Sequence, residues 1–145
     1  MSTLTKAIII AAKAHDGQTD KGGNPYILHP IRLMLNALNE QEKIVALLHD
    51  VVEDSEITLD DLRNEGFSEE IIEAVDRLTR RPTETYDEFI ERIEDNDIAR
   101  RVKILDLLDN SMMSRIKNPS EKDLERLKKY RKALEILRER EYERN

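Results

Sequence analysis

An all-α fold, a compact single-domain helical bundle, is what this sequence predicts. Three observations carry that expectation. Leu, Ile, Glu, Lys and Arg dominate the chain, and all are good or tolerable helix formers. Apolar residues recur at helical spacing from end to end, with no segment that alternates as a strand would. Breakers are scarce, with four glycines and four prolines in 145 residues. Residues 1–145 are read as one domain, with a core over about 3–118 and a last helix over about 120–143.

The elements follow in order. A first helix is expected from Thr3 to His15, with His15 closing it as a capping or structural residue. Residues 16–25 form a polar loop that holds Gly17, Gly22 and Gly23, and such a loop can bring backbone close to a ligand or simply connect two helices. A second helix starts near Pro25 or Tyr26 and carries His29, Ile31, Leu33, Met34 and Leu38. A third runs from Glu40 to about Val52. Its centre, residues 44–48, is apolar on every side, which predicts a central buried helix. Later starts are marked by Thr58 with Asp61, by Ser68, by Thr85 with Glu88, by Asn96, and by Ser120 with Asp123. Thr79–Thr85 reads as a loop. Leu124, Leu127, Tyr130, Leu134 and Leu137 make a stripe on the last helix. It is read as packing against the bundle, with a homodimer seam as the second option, because two or three heptads are short for a coiled coil.

Composition narrows the function. With no cysteine there are no disulfides, zinc-thiolate sites or thiol nucleophiles, which fits a cytoplasmic protein. The apolar run from Ala7 to Ala12 ends at Lys13, below signal-peptide length, and no stretch approaches the roughly 20 apolar residues of a membrane span. A net charge of −7 argues against nucleic-acid binding. The basic residues Arg100, Arg101 and Lys103 are read as a solvated helix face.

The informative cluster is His49-Asp50-Val51-Val52-Glu53-Asp54, together with His29. Residues four apart stack on one helix face, so Glu53 lies a turn beyond His49 and Asp54 a turn beyond Asp50. Burying so many acids uncompensated costs several kcal/mol, which a divalent cation offsets. Asp106, inside the apolar run of residues 102–108, needs a specific partner. His29, His49, Asp50 and Asp106 therefore make a candidate ligand set of two imidazoles and two carboxylates. It suits Mn²⁺, Fe²⁺, Ni²⁺ or Zn²⁺ better than Ca²⁺. A cation there brings a bound water towards neutral pKa, and Glu53 and Asp54 are placed to orient that water or shuttle its proton. A lone His-Asp dipeptide is incidental and Asp60-Asp61 is a solvated helix end. It is the combination that signals a metal-dependent hydrolase.

The stretches Ala14-His15-Asp16-Gly17-Gln18, KGGNPYILHP at 21–30, ALLHDVVED at 46–54 and VKILDLLDN at 102–110 resemble the HD-domain phosphohydrolases. More narrowly, they resemble the hydrolase domain of RelA/SpoT-type enzymes and the small alarmone hydrolases. The resemblance implies a helical bundle holding one Mn²⁺ at His29, His49, Asp50 and Asp106, with Glu53 and Asp54 activating water. It also implies that Lys21 meets substrate phosphate and that Asn110 contacts the nucleotide. The implied reaction removes the 3′-pyrophosphate from guanosine tetra- or pentaphosphate, giving GDP or GTP. The chain departs from that pattern at Asp20, where the family has arginine, and at Leu107 and Ser111-Met112-Met113, where it has basic residues. A phosphatase acting on another phosphorylated nucleotide such as NADPH is therefore the alternative enzyme, and a non-catalytic nucleotide sensor the alternative outside catalysis.

Overall fold

The computed structural model describes residues 3–112 and 116–144. Met113, one of the positions singled out above, lies outside the described residues. Helix α1 spans Leu4–Ala14, α2 Leu28–Asn36, α3 Glu40–Leu48 and α4 Val51–Asp54. Helix α5 spans Leu59–Asn64, α6 Glu69–Leu78, α7 Tyr86–Glu94, α8 Asp97–Asn110 and α9 Glu121–Arg144. Among the described residues the only β pairing is an isolated bridge between Thr19 and Pro25, so the fold is all-α.

Local chemistry starts these helices where the sequence indicates. Thr3, Asn39, Ser68 and Asn96 each accept the backbone N–H three residues on. Thr58 with Asp61 and Thr85 with Glu88 form complete capping boxes. Ser120 and Asp123 exchange hydrogen bonds at the start of α9. Helix α2 starts later than expected, at Leu28, because residues 25–29 first make a tight turn in which Leu28 and His29 donate to the carbonyls of Pro25 and Tyr26. Gly17 and Gly23 both take a φ of +82°, which other residues rarely adopt, and neither has a neighbour that would obstruct a Cβ. Their requirement is backbone turning rather than close approach.

Helix α3 is central: Ile44 to Leu48 are all buried, and α1, α2, α6 and α8 pack around it. Helix α9 lies on α7 and α8 and buries Ala133, Leu134 and Leu137, while Leu124 stays half exposed.

Two expectations are corrected here. The third helix does not run unbroken to Val52. It stops at Leu48, and Asp50 takes φ −105° and ψ −2° before the short α4 begins. At that point the His49 ring donates from Nδ1 to the Ala46 carbonyl, so a side chain meets an acceptor the helix leaves open. The basic residues of α8 are not a solvated face either. Arg100 is wholly buried and donates to Glu141, Asp97 and the Glu94 carbonyl. Arg101 bridges Glu42 and Glu141, and Lys103 pairs with Asp106 at 2.8 Å. Helix α8 has neighbours on several sides, so its cations survive burial only by finding acids.

Candidate metal centre and substrate cleft

Four side chains from α2, the α3–α4 junction and α8 converge. His29, His49 and Asp50 offer ligand atoms that all lie within 4.8 Å of one another. Asp106 Oδ1 lies 2.8 Å from His29 Nε2 and 3.5 Å from His49 Nε2. The helix break explains how neighbours 49 and 50 can share a target. On a continuous helix their side chains diverge by about 100°. Here His49 Nε2 lies 3.0 Å from Asp50 Oδ2.

Hydrogen bonding fixes which nitrogen faces the cluster. A carbonyl only accepts, so His49 Nδ1 carries the proton it gives to Ala46 at 2.6 Å. His49 Nε2 is then buried without a hydrogen-bond partner. His29 Nδ1 likewise donates to Asp109 Oδ2 at 2.5 Å, which turns its Nε2 towards Asp106. Both imidazoles thus aim Nε2 at carboxylates, an arrangement that repels unless a proton or a cation lies between them. Without a cation, the acids favour the protonated form of both rings. Burial alone would lower the histidines, but hydrogen bonds and charges from Asp106, Asp109 and Asp50 outweigh it and raise both. Burial would raise the two acids, yet His49 draws Asp50 down to about 2, and Lys103 with both histidines draws Asp106 well below the carboxylate range. A divalent cation would do the same work as those protons, and two nitrogens with carboxylate oxygens are a donor set that holds one. The residues fit a metal.

Residues not singled out from the sequence complete the surroundings. Asp109 orients His29 and is itself held by a two-pronged contact from Arg32, at 2.8 and 2.9 Å. This is a carboxylate–imidazole relay of the kind that supports metal ligands. Its signal was present, since Asp109 follows Asp106 by three residues on one helix face. Tyr26 donates a very short hydrogen bond to Asp50 Oδ2. Burial, then the Asp50 charge, keeps its phenol protonated as a donor. Asn110 and Lys103 hold the two oxygens of Asp106.

Clefts open on both sides of the cluster. One, of about 290 Å³, is lined by Lys21, Tyr26, His29, Arg32, Asn110 and Tyr130 among others. The other, of about 170 Å³, is lined by His49, Asp50, Glu53, Arg80, Lys103 and Lys129 among others. Glu53 reaches the second cleft and accepts the Arg80 backbone N–H. Its carboxyl is raised by burial, with Asp50 and Asp54 adding to the effect. Asp54 is exposed and lines neither cleft, although burial and the Asp50 charge raise it too. Lys21 lines the larger cleft while paired with Asp123 of α9 at 3.0 Å. Asp20 also lines that cleft; its Oδ1 accepts the N–H groups of Gly22 and Asn24 and closes the loop, and its charge acts on Arg32 across the cleft wall. His15 is tied to Gln18 at 2.9 Å and lies against Tyr26, and it is not among the residues whose ligand atoms converge.

No family model matches the chain. A guanosine-3′,5′-bis(diphosphate) 3′-pyrophosphohydrolase of Vibrio cholerae is 36% identical over 84 residues, which is 55% of this chain and 12% of that protein. One from Borreliella burgdorferi is 38% identical over 82 residues, 54% of this chain and 12% of that protein. The chain thus spans about an eighth of the length of these relatives. A solved structure of a metazoan ortholog of SpoT that hydrolyzes ppGpp superposes with a TM-score of 0.78, covering 95% of this chain and 86% of that one at 22% identity. The helical fold is the one that protein has. The likeness to SpoT-type hydrolases read from the motifs is the likeness these comparisons return.

Proposed function

We propose that the chain is a metal-dependent (p)ppGpp 3′-pyrophosphohydrolase, releasing pyrophosphate and GDP or GTP. The observation that carries this reading is the pair of tautomer-fixed imidazoles with Nε2 turned towards Asp50 and Asp106. Similarity to proteins named for this reaction supplies the substrate.

In this reading His29, His49, Asp50 and Asp106 would hold one Mn²⁺, and such an ion would supply Lewis-acid chemistry to the phosphoryl group and to water. Tyr26 holds Asp50 and Lys103 holds Asp106 in place by hydrogen bonds. Glu53, with its raised carboxyl at the edge of the smaller cleft, accepts the proton of the attacking water. The water oxygen adds to the 3′-linked phosphorus, the bond to the 3′-oxygen breaks, and that oxygen leaves as a hydroxyl with a proton from solvent. Asp54 assists through its charge beside Asp50 rather than by contact with the cleft. The larger cleft takes the nucleoside, with Asn110 at its inner edge and the Tyr130 ring on its wall. Lys21 exchanges Asp123 for substrate phosphate. Asp20 keeps its charge on the wall of the larger cleft, where it acts on Arg32, so the NADPH-type phosphatase is the reading that the assay is run against.

The test is turnover of ppGpp by the purified chain with Mn²⁺, following GDP and pyrophosphate together. Equal release of both is expected. Release of inorganic phosphate from NADPH with no product from ppGpp would overturn the reading.

A further inference from the structure

The smaller cleft has a chemistry that the metal-ligand cluster does not use. Its wall is cationic and built from separate parts of the chain: Arg80 from the loop after α6, Lys103 from α8, which also pairs with Asp106, and Lys129 from α9. Among the described residues Arg80 and Lys129 are ion-paired to no carboxylate. Instead the Arg80 guanidinium lies 5.6 Å, and the Lys129 ammonium 4.4 Å, from the centre of the Tyr86 ring. Bringing two cations over one ring costs repulsion that the ring quadrupole offsets only in part. Partial desolvation, and then the charges of Arg80, Arg126 and Lys103, push the Lys129 ammonium down from its ordinary value. The hydroxyl of Tyr86 is buried with no hydrogen-bond partner. A buried unpaired hydroxyl in a native site calls for a missing partner. An anion accepting from that hydroxyl and from the three cations satisfies both deficits at once.

We propose that Arg80, Lys103, Lys129 and the Tyr86 hydroxyl form a phosphate pocket beside the metal-ligand cluster, and that it takes the terminal phosphate of a diphosphate-bearing substrate. The carboxylates facing this pocket do not defeat it. Asp50 belongs to the ligand cluster and donates no net charge once its cation is bound, and Glu53 is engaged by the Arg80 backbone. The volume of about 170 Å³ admits a phosphate group with waters. The placement also accounts for a long helix reaching back to the site: α9 supplies Lys129 to this cleft and Arg126 to the larger one, while its far half packs on the core. A diphosphate spanning the cluster would then have its inner phosphate at the ligands and its outer phosphate here.

This deepens the proposed function and is tested apart from it. The full chain is titrated with inorganic pyrophosphate by calorimetry, once metal-stripped and once with one equivalent of Mn²⁺. Arg80→Ala and Lys129→Ala each weaken binding about tenfold in both states, as expected for loss of a charge-assisted contact. Tyr86→Phe weakens it by a smaller factor, and Lys128→Ala, which removes an exposed charge next door, leaves it unchanged. Both alanine sites are exposed, so the variants fold. Pyrophosphate affinity unchanged in both alanine variants, with ppGpp still hydrolysed, overturns the pocket and leaves the activity standing. Pyrophosphate binding lost in the variants of a chain that turns over no ppGpp upholds the pocket and removes the activity.

Discussion

Single residues here act through what they leave unsatisfied. His49 donates from Nδ1 to a carbonyl and so turns its Nε2 towards two acids. Asp50→Ala should therefore abolish metal binding, whereas Glu53→Ala should keep the metal and lose at least about a hundredfold in turnover. Metal content by atomic emission beside a turnover assay separates the two, and full activity in the Glu53 variant would end its proposed role. Asp109 acts one step further out, by holding His29 in its tautomer. Asp109→Ala should weaken metal affinity by about 10–100-fold while the chain stays folded, measured by competition with a metal indicator. An unchanged affinity would show that Asp106 and helix packing alone suffice to aim the His29 ring.

At the scale of elements, the loop between α6 and α7 is fastened to the bundle by Arg92. Its guanidinium holds both oxygens of Glu84 at 2.7 Å and the Thr79 carbonyl at 3.0 Å. The Arg92 contact holds the Glu84 carboxyl down at about 2 against an ordinary 4.5. A carboxyl depressed by folding stabilises the protein above its unfolded value and loses that contribution as pH falls towards the folded one. Glu84→Gln should thus lower the urea midpoint at pH 7, and the gap to the parent should narrow between pH 4.5 and pH 2. A gap constant with pH would assign the effect to packing. The same loop carries Arg80, so its anchoring sets one wall of the smaller cleft.

The whole molecule is held by one hydrophobic core with a buried ionic seam between α3, α8 and α9. Arg100 is fully buried against Glu141, and Glu141 also holds Arg101, which reaches Glu42. Truncating Glu141 removes the acid the two arginines share and leaves Arg100 with Asp97 and the Glu94 carbonyl, a loss of about 2 kcal/mol. Glu141→Ala should show a loss of that size in urea unfolding, with the metal site unchanged at permissive denaturant. A loss under about 1 kcal/mol would mean that water hydrates Arg100 once the acid is gone. Because α9 also carries Arg126, Lys129 and Tyr130 into the two clefts, undocking it would affect both stability and substrate binding.

The sequence by itself determined the helical class, the capped starts of α5, α6, α7 and α8, the burial of residues 44–48, and the set of histidines and acids that meet at the cluster. Those features rest on local rules, periodicity and side-chain-to-backbone capping, or on residue types too costly to bury without a partner. Only the tertiary structure decided the rest. It broke the helix at His49–Asp50, recruited Tyr26, Arg32 and Asp109, turned the basic run of α8 inward, and brought Arg80 and Lys129 to one ring from 49 residues apart along the chain. These are pairings between distant segments, and a charge on a helix carries no mark of which acid, or which substrate, will face it until the helices pack.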